Sequence, residues 1–473
     1  MTALMETDGF NEENGDHNSI NDTLVGVPLV FIDNNNKKIL MEKELPNEKR
    51  APLQEDQDSS STEQELDQDL GGNDEDMIHD PVEMKVKIKK SLLEFRGKVE
   101  DAILRNYLLG EGSKKLTPEE LKDISLWGIP LLPSKGHEGT DIILLKFLKA
   151  KDYKVSEALD MLQKTLNWRI ENRVDRILDE EDLGSEFEHA SFLNSRDKEG
   201  RPVCYHLYGI FNDKSLYKKT FGTQQKRERF LRWRIQLMER AVRKLCFKEG
   251  GVDSVIQVYD LKRASPQRMK ELESISKQAL LLIQNYYPEL VWKNIVLHAP
   301  FWTYTSQVLF SRFMSQRSKK KFILVRPQRI TKTLLKFVDP EQLPVEYGGL
   351  RREKDPDFSP EDKAEELHIR GNTVSTVEFP VSESGVTVTW DVTVLGWDVS
   401  YKEEFVPDDE GSYTILLQNQ NRLGESIRNS FYINEPGKIV LTIENGNYRK
   451  RRMFYRSKTR ITVPMFILLS NSS

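Results

Sequence analysis

The chain has 473 residues, 38% of them apolar and 31% charged, which gives room for roughly two to four domains. Residues 1–80 carry 21 acidic and 5 basic side chains, whereas the rest of the chain carries 54 acidic and 65 basic side chains. The rest of the chain is therefore basic, which favours an anionic partner, either a phospholipid surface or a nucleic acid. No run approaches the 18 apolar residues of a membrane span, and the acidic N-terminus lacks the apolar core of a signal peptide.

The first two segments are predicted to be a tail and a helical subdomain. Residues 1–82 are too polar to bury the apolar surface that would offset chain entropy, so we predict a disordered acidic tail. Residues 83–178 show helical periodicity, and Thr117-Pro118-Glu119-Glu120 has the form of a helix N-cap with proline at the first helical position. The apolar positions of the first helix are Val86, Leu92, Leu93, Val99, Ile103, Leu104 and Leu108.

Residues 179–350 are predicted to form an α/β domain. β-type runs at 202–207, 254–259, 294–298 and 321–325 alternate with helical patterns at 223–248 and 266–284. Such alternation is typical of a sheet covered by helices. The helix at 223–248 is rich in basic residues, which we expect either to form a basic surface or to pair with the acidic linker further along the chain.

The last third is predicted to be an all-β domain. Residues 351–371 are charged, with Pro356 and Pro360 among them, and are predicted to be a linker. Residues 372–463 contain short β-type runs separated by turn signals, and the strict alternation at 386–394 predicts a half-buried strand of a β-sandwich. The apolar tail, 464–473, is left open as a final strand, a membrane contact or an alternative ending.

Four motifs between residues 286 and 349 carry the most specific information. They are Tyr286-Tyr287-Pro288-Glu289, the run Asn294 to Pro300, the run Lys319 to Val325, and Leu343-Pro344-Val345-Glu346-Tyr347-Gly348-Gly349. No nucleophile motif, metal cluster or phosphate-binding loop accompanies them. This combination suggests a pocket that holds an apolar molecule without cleaving it.

Together with Leu145 to Lys151, Asp197 to Val203 and Tyr259-Asp260-Leu261, these motifs resemble the CRAL-TRIO lipid-transfer family over residues 92–350. Residues 372–460 resemble a GOLD domain, a β-sandwich of membrane-trafficking proteins. An acidic tail followed by these two domains resembles the arrangement of the plant patellins. The resemblance implies an α/β CRAL-TRIO lobe with a helical N-terminal subdomain, then an all-β GOLD sandwich.

The resemblance also implies a function. We expect a peripheral phosphoinositide-binding carrier or adaptor in membrane trafficking, at the cell plate during cytokinesis, with an anionic membrane and trafficking proteins as its partners. The phospholipid is the expected ligand, with no other cofactor, and no nucleic acid partner is expected. The alternative is a trafficking scaffold that acts through the GOLD domain and has a vestigial lipid pocket.

The headgroup site follows from the motifs of the family. The resemblance implies that Lys321 contacts the phosphoinositol headgroup, that Ser318 supplies a hydroxyl nearby and that Glu289 anchors the site. Lys149 and Lys151, with Lys146, stand where the family usually has arginines and are expected as further contributors. The competing interpretation is that the lysine run 319–321 is a solvated turn.

The aromatic segment Phe301 to Met314 matches the gate helix of the family, which covers the acyl chains. The gate and pocket residues expected here are Phe301, Trp302, Tyr304, Leu309, Phe310, Phe313 and Tyr205. By pattern alone, an aromatic stripe of this kind is more often part of an ordinary core. The chain departs from the family at Ser311-Arg312, where a Lys-Pro pair is common. Val255 and Gln257 stand near the positions of the small hydroxyl residues of phosphatidylcholine-binding members, so the sequence leaves open whether this lipid also binds.

A basic strip near the end of the all-β domain is expected to contact an anionic membrane, with each basic residue adding about 1 kcal/mol. Its members are Arg449, Lys450, Arg451, Arg452, Arg456 and Lys458. The competing interpretation is a solvated strand edge, protected from aggregation by its charges.

An enzyme is not expected. The sequence has no GxSxG, HExxH or GxxxxGK[ST] motif, no GxGxxG after a strand, and seven scattered histidines. No metal site is predicted. Two cysteines without a CxxC spacing favour a reducing compartment, so we expect a cytoplasmic protein peripherally associated with membranes, the cell plate or plasma membrane among them.

Overall fold

The structure is a computed structural model that describes residues 81–110, 117–180, 183, 187–298, 317, 320–396, 398–424 and 426–462. Several predictions lie outside these residues: the acidic tail up to residue 80, the aromatic segment 301–314, Ser318, and the apolar tail 464–473. Within the described residues, the expected order of a helical subdomain, an α/β sheet and a β-sandwich is confirmed.

The helical subdomain contains α1 (Pro81–Leu104), α2 (Pro118–Lys122), α3 (Glu138–Ala150), α4 (Val155–Glu171) and α5 (Ile177–Glu180), with a small hairpin of β1 (Ser125–Leu126) and β2 (Ile129–Pro130). The predicted cap is confirmed: the Thr117 hydroxyl accepts a hydrogen bond from the Glu120 amide, and the Glu120 carboxylate accepts one from the Thr117 amide. Such a reciprocal box satisfies two amide donors that the helix itself leaves unpaired.

The buried face of α1 differs in part from the predicted one. Val99 and Ile103 are buried as expected, whereas Val86, Leu93 and Leu104 are exposed. The core stripe also includes Phe95 and Ala102, which are fully buried. Apolar residues spaced three and four positions apart define more than one possible buried face of α1. The neighbouring helices α3 and α4 decide which of these faces is covered.

The α/β lobe is built on a five-stranded sheet in the order β3-β4-β5-β6-β7. Its strands are β3 (Ser191–Arg196), β4 (Pro202–Leu207), β5 (Val255–Asp260), β6 (Val291–Leu297) and β7 (Phe322–Val325), and its helices are α6 (Lys214–Phe221), α7 (Gln224–Val242), α8 (Pro266–Tyr286) and α9 (Ile330–Phe337). β3 pairs antiparallel with β4, and the other pairs are parallel. The four predicted strands and two predicted helices are present, whereas β3, α6 and α9 were not predicted.

Side chains alternate between the two faces of this sheet. One face carries Val203, Ile256, Val258 and Ile295, which form one core with α9 and the 343–350 segment. The opposite face carries His206, Gln257 and Tyr259, followed by the half-buried Val296, Phe322 and Leu324. α7 packs on the part of this face formed by β4 and β5, since Gln257 on β5 reaches the sulfur of Met238 on α7.

The sandwich has two antiparallel four-stranded sheets, in the orders β13-β10-β15-β8 and β12-β11-β14-β9. The strands are β8 (Glu365–Ile369), β9 (Thr373–Val381), β10 (Val386–Val394), β11 (Ser400–Pro407), β12 (Ile415–Gln420), β13 (Ile427–Ile433), β14 (Gly437–Asn445) and β15 (Arg451–Ile461). β8 lies entirely within the predicted linker, and the last four residues of the basic strip lie on β15. β15 pairs with β8 only over residues 451–455, so the strand-edge interpretation is wrong for Arg451 and Arg452.

A buried ion cluster joins the sandwich to the segment that precedes it. Asp391 on β10 is fully buried and lies opposite Arg428 on one neighbouring strand and Arg456 on the other. Arg428, Arg456 and Arg352 all donate hydrogen bonds to its carboxylate, at 2.6 to 3.0 Å. Arg428 also donates to Asp355, so part of the 351–371 segment is fixed to the sandwich by charged hydrogen bonds.

This cluster predicts a loss of stability in acid. Burial acts to raise the pKa of Asp355, but hydrogen bonds from Arg428 and from the Asp357 and Phe358 amides outweigh it and lower the pKa to about 2. A carboxyl group whose pKa is lowered by folding stabilises the folded state at pH values above its unfolded pKa of 3.8. This stabilisation is lost as the pH falls through the folded pKa of about 2. Between pH 3.8 and about 2, the free energy of unfolding measured in urea is expected to fall less in Asp355→Asn than in the wild type. An equal fall in both proteins would contradict this role of Asp355.

Candidate functional site

Glu289 and Lys321 meet at the edge of the sheet where the parallel strands begin. Glu289 lies in the turn between α8 and β6, and Lys321 directly precedes β7, held there because the Asn294 amide donates to the Lys321 carbonyl at 2.8 Å. The Lys321 ammonium lies 3.0 Å from the Glu289 carboxylate, and both side chains are about one-fifth exposed. The structure therefore brings together two of the predicted headgroup residues, which are 32 positions apart.

The backbone of Glu289 is part of the same arrangement. Glu289 has a φ of 53°, in the left-handed region that non-glycine residues rarely adopt. Its carbonyl accepts a hydrogen bond from the ammonium of Lys146 at 3.2 Å. Unusual backbone conformations of this kind concentrate at binding sites, where the surrounding contacts maintain them.

Lys146 is the innermost cation of this site. Its side chain is 5% exposed and lies 2.8 Å from the Asp253 carboxylate. Burial lowers the pKa of Lys146 from its ordinary value, and the charge of Asp253 opposes that shift. The sequence suggested Lys146 as a further contributor, but it gave no signal for Asp253, which lies 107 positions away and contacts it only in the fold.

The other predicted lysines lie at the C-terminal end of α3, the helix that carries Lys146. Lys149 is exposed at the end of α3, and its carbonyl accepts a hydrogen bond from Arg317, which sequence reasoning missed. Lys151 is half-buried at the C-cap of α3. The arrangement thus offers cationic groups from α3 and from the segment before β7, close to a carboxylate that can accept hydrogen bonds from hydroxyl groups.

Tyr205 does not lie on the predicted pocket side. It is fully buried on the face of β4 that packs against the 343–350 segment, where its ring stacks on Tyr347 with centroids 5.5 Å apart. Its hydroxyl is 3.1 Å from the Ser195 hydroxyl. The assignment of Tyr205 to the acyl-chain pocket is therefore wrong, because strand alternation directs it to the opposite face of the sheet.

Only part of the basic strip is exposed on the surface of the protein. Arg456 is buried against Asp391, Arg452 pairs with Glu366 on β8, and Lys458 pairs with Asp362 at 3.0 Å. Arg456 is engaged inside the protein, so its assignment as a membrane contact is corrected, whereas Arg452 and Lys458 are paired on the surface with about two-fifths of each side chain exposed. Arg449 and Lys450 are exposed in the turn before β15, whereas Arg451 is half-buried at its start.

A different group of basic residues lies at the opposite edge of the sheet, where the parallel strands end. We call it the basic rim, and it consists of Lys214, Lys218, Lys219, Lys262, Arg263 and Arg326, all exposed. The loops that follow β4 and β5 touch here, since the Asn212 side chain donates to the Arg263 carbonyl and accepts from the Ser265 amide. β6 ends at the same edge, and the aromatic segment 301–314 follows it in the chain.

Two kinds of feature are absent from the described part of the chain. No helix there is long and apolar enough to cross a membrane. No group of three or more histidine, cysteine, aspartate or glutamate side chains there is arranged to hold a metal ion.

Comparison with known families divides the chain as the fold does. Residues 92–164 match the CRAL/TRIO N-terminal domain, and residues 186–349 match the CRAL/TRIO domain. Residues 370–451 match the Patellin-1-like C-terminal GOLD domain. The expected CRAL-TRIO lobe followed by a GOLD sandwich is thus confirmed.

Among individual proteins, the chain is 45% identical to Patellin-4 of Arabidopsis thaliana over 72% of its own length and 62% of that protein. It is 41% identical to Patellin-3 of the same plant over 78% of its length and 74% of that protein. It is 31% identical to the SEC14 cytosolic factor of Eremothecium gossypii over 44% of its length and 69% of that protein. The chain therefore belongs to the patellin family.

Proposed function

We propose that the chain binds an inositol phospholipid in its α/β lobe and works as a peripheral membrane carrier or adaptor in membrane trafficking. The observation that carries the proposal is the convergence of Lys321, Lys146 and Glu289 at one edge of the sheet. The resemblance to SEC14-type proteins supports a lipid ligand, and the resemblance to patellins supports a role at the cell plate. Imaging of the tagged protein in dividing plant cells tests the cell plate assignment.

The chemistry of the site fits an inositol phosphate headgroup. A phosphate oxygen would accept charge-assisted hydrogen bonds from Lys321, each worth about 1.5–3 kcal/mol. The hydroxyl groups of the inositol ring would donate to the Glu289 carboxylate, which Lys321 already holds in place at 3.0 Å. The half-buried Val296, Phe322 and Leu324 continue from this edge along the sheet and offer an apolar surface to acyl chains.

The experiment is to expose the full chain to a mixed phospholipid extract, re-purify it and identify bound lipids by mass spectrometry. A stoichiometric inositol phospholipid is the expected result. A folded protein that carries no lipid would instead favour the scaffold alternative, in which the sandwich binds trafficking proteins and the pocket is vestigial.

The basic rim is the surface we propose for contact with an anionic bilayer. It borders the end of the sheet at which β6 stops, so binding there would place a bilayer close to the C-terminal end of β6. Each lysine near an anionic surface contributes about 1 kcal/mol, and salt screens this attraction.

Removing two rim charges should weaken membrane binding measurably. The double change Lys218→Gln, Lys219→Gln is expected to weaken binding to phosphatidylserine vesicles by about 30-fold at low salt. Vesicle co-sedimentation at several salt concentrations measures the effect. The matched control, Arg422→Gln with Lys438→Gln, removes the same charge from the sandwich, and an equal loss of vesicle binding there would overturn the assignment.

The double change Arg449→Gln, Lys450→Gln tests separately whether the exposed residues of the predicted basic strip contact the membrane.

A further inference from the structure

The outer face of α1 carries an apolar stripe that no described part of the chain covers. Val86, Leu93 and Leu104 are 57 to 61% exposed, although all three are large apolar side chains. Positions 7 and 11 apart are separated by close to two and three helical turns, so the three side chains line up over about 27 Å. Phe95 lies on the opposite face of α1 and is fully buried. Contiguous exposed apolar surface of this kind marks an interaction site.

Gly97 lies in the same stripe, between Leu93 and Leu104. Glycine in the middle of a helix is less favourable than alanine because it loses more backbone freedom on folding. Nothing in the described part of the chain requires it, since a Cβ at Gly97 would have no neighbour within 4 Å. A missing side chain in an apolar stripe does allow a second helix to approach closely, as small residues do at helix–helix contacts.

The stripe is symmetric about Phe95. Val86 and Leu104 lie nine positions to either side of it, and Leu93 and Gly97 lie two positions to either side. If two α1 helices pack antiparallel about a two-fold axis at this point, each residue faces the one that is equally far on the other side. Val86 then faces Leu104 of the second copy, and Leu93 fills the space above Gly97. The apolar pattern is therefore complementary to itself in one antiparallel register.

The charged residues beside the stripe favour the same register. Lys89 and Lys90 flank its N-terminal half and are exposed. Glu100 and Asp101 flank its C-terminal half and are half-buried, and Asp101, which also accepts from Arg105 at 2.7 Å, keeps 41% of its side chain exposed. In the antiparallel pair the facing charges are Lys89 with Glu100 and Lys90 with Asp101. In a parallel pair, lysines would face lysines, so the charges select the antiparallel arrangement.

We propose that α1 is a self-association surface, through which two copies of this chain pair antiparallel about a two-fold axis at Phe95. The occupant of the stripe is a second copy, because its apolar, small and charged positions all match under one symmetry operation. One helix from each copy forms a contact smaller than the roughly 1,200 Å² of standard interfaces, so the pair should be weak and depend on concentration. The proposal goes beyond lipid binding, since no residue of the Lys321 site or of the basic rim lies on α1.

The first test is sedimentation velocity of the full chain at concentrations from about 1 to 100 µM. The wild type should show a monomer–dimer equilibrium, and Leu93→Lys should weaken it by about tenfold or more, because a lysine would be buried in the apolar contact. The matched control is Leu416→Lys, which changes a leucine of the sandwich that is 57% exposed and should dimerise like the wild type. A wild type that stays monomeric, or a dimer that tolerates Leu93→Lys, would overturn the proposal.

Exchange of charges tests the antiparallel register. Lys89→Glu and Glu100→Lys should each weaken pairing by about tenfold at low salt, because like charges would then face each other across the two-fold axis. In a mixture of the two variants, each changed residue would face an opposite charge, so heterodimers should form about as tightly as the wild-type dimer. Single variants that pair like the wild type, or a mixture that stays monomeric, would contradict this register.

Gly97→Ala separates pairing from folding. Alanine is the better helix former and its Cβ has free space in the monomer, so the unfolding temperature should rise at a concentration where the monomer predominates. Pairing should nevertheless weaken, because the added methyl group would meet Leu93 of the second copy. Unchanged pairing in Gly97→Ala would contradict the close approach at the glycine.

A bilayer is the other molecule that an apolar stripe with lysines could contact. Binding of the wild type and of Leu93→Lys to phosphatidylserine vesicles should therefore be compared in the same preparations. We expect the two proteins to bind vesicles equally when both are monomeric. A wild type that never dimerises, together with a loss of vesicle binding in Leu93→Lys, would assign the stripe to a membrane contact and overturn the pairing of two copies.

Discussion

Asp391→Ala is expected to lower the free energy of unfolding by about 3–5 kcal/mol, the range measured when one partner of a buried ion cluster is removed. Asp391 is fully buried and accepts hydrogen bonds from Arg352, Arg428 and Arg456. Without it, three guanidinium groups would converge on a site with less negative charge, and Arg456, also buried, would have little access to water. Urea unfolding of the full chain measures the change.

A nearby carboxylate offers a matched control. Asp362 pairs with Lys458 at 3.0 Å, but both side chains are about one-third exposed. Because solvent screens such pairs, Asp362→Ala should cost no more than about 1 kcal/mol. Equal destabilisation by the two substitutions would contradict a central role for Asp391. Faster proteolysis within residues 351–363 of Asp391→Ala would further show that the cluster fixes this segment to the sandwich.

Lys321→Ala is expected to weaken inositol phospholipid binding by about ten- to a hundredfold, the value of one to two charge-assisted hydrogen bonds. The substitution also leaves the Glu289 carboxylate without its partner at 3.0 Å, so a negative charge would then face the phosphate without compensation. Binding to phosphatidylinositol vesicles, followed by mass spectrometry of the retained lipid, measures the loss. Since Lys321 is one-fifth exposed, the fold should persist, which circular dichroism would check.

The neighbouring lysine provides the comparison for this experiment. Lys320 carries the same charge but is exposed, so Lys320→Ala should retain the lipid. Equal losses in both variants would mean that the lysine run acts only as a diffuse charge, and the solvated-turn interpretation would then be favoured. Unchanged capture of trafficking proteins by a Lys321→Ala protein without lipid would favour the scaffold alternative.

Local patterns were enough to predict much of the fold. The alternation of apolar and polar residues at 386–394 predicted β10, and the continuous apolar run before Asp260 predicted β5. Both patterns are typical of strands and fit few other secondary structures. The Thr117 cap could also be predicted from local sequence, since its partner Glu120 lies only three residues away. The family motifs placed Glu289 and Lys321 in one site without predicting their ion pair, which the structure shows at 3.0 Å.

Elements whose burial depends on distant partners were missed. β15 reads as a polar, basic stretch, yet it forms a central strand because Asp391 and Glu366 on its two neighbours compensate its arginines. β8 was missed within a charged segment for a similar reason, since its exposed Glu366 is the carboxylate that compensates Arg452 on β15. Charge alone therefore gave the wrong surface for part of the basic strip.

The sequence by itself determined the order of the domains, the positions of most strands and the residue types of the proposed headgroup site. Those features depend on short-range periodicity and on motifs that are contiguous in the chain. Only the tertiary structure decided that Tyr205 belongs to the core face, that Lys146 reaches Glu289 across 143 positions, and that Arg234 is buried beside His206. The environment of a side chain is set by the elements that pack around it, and those elements come from distant parts of the chain.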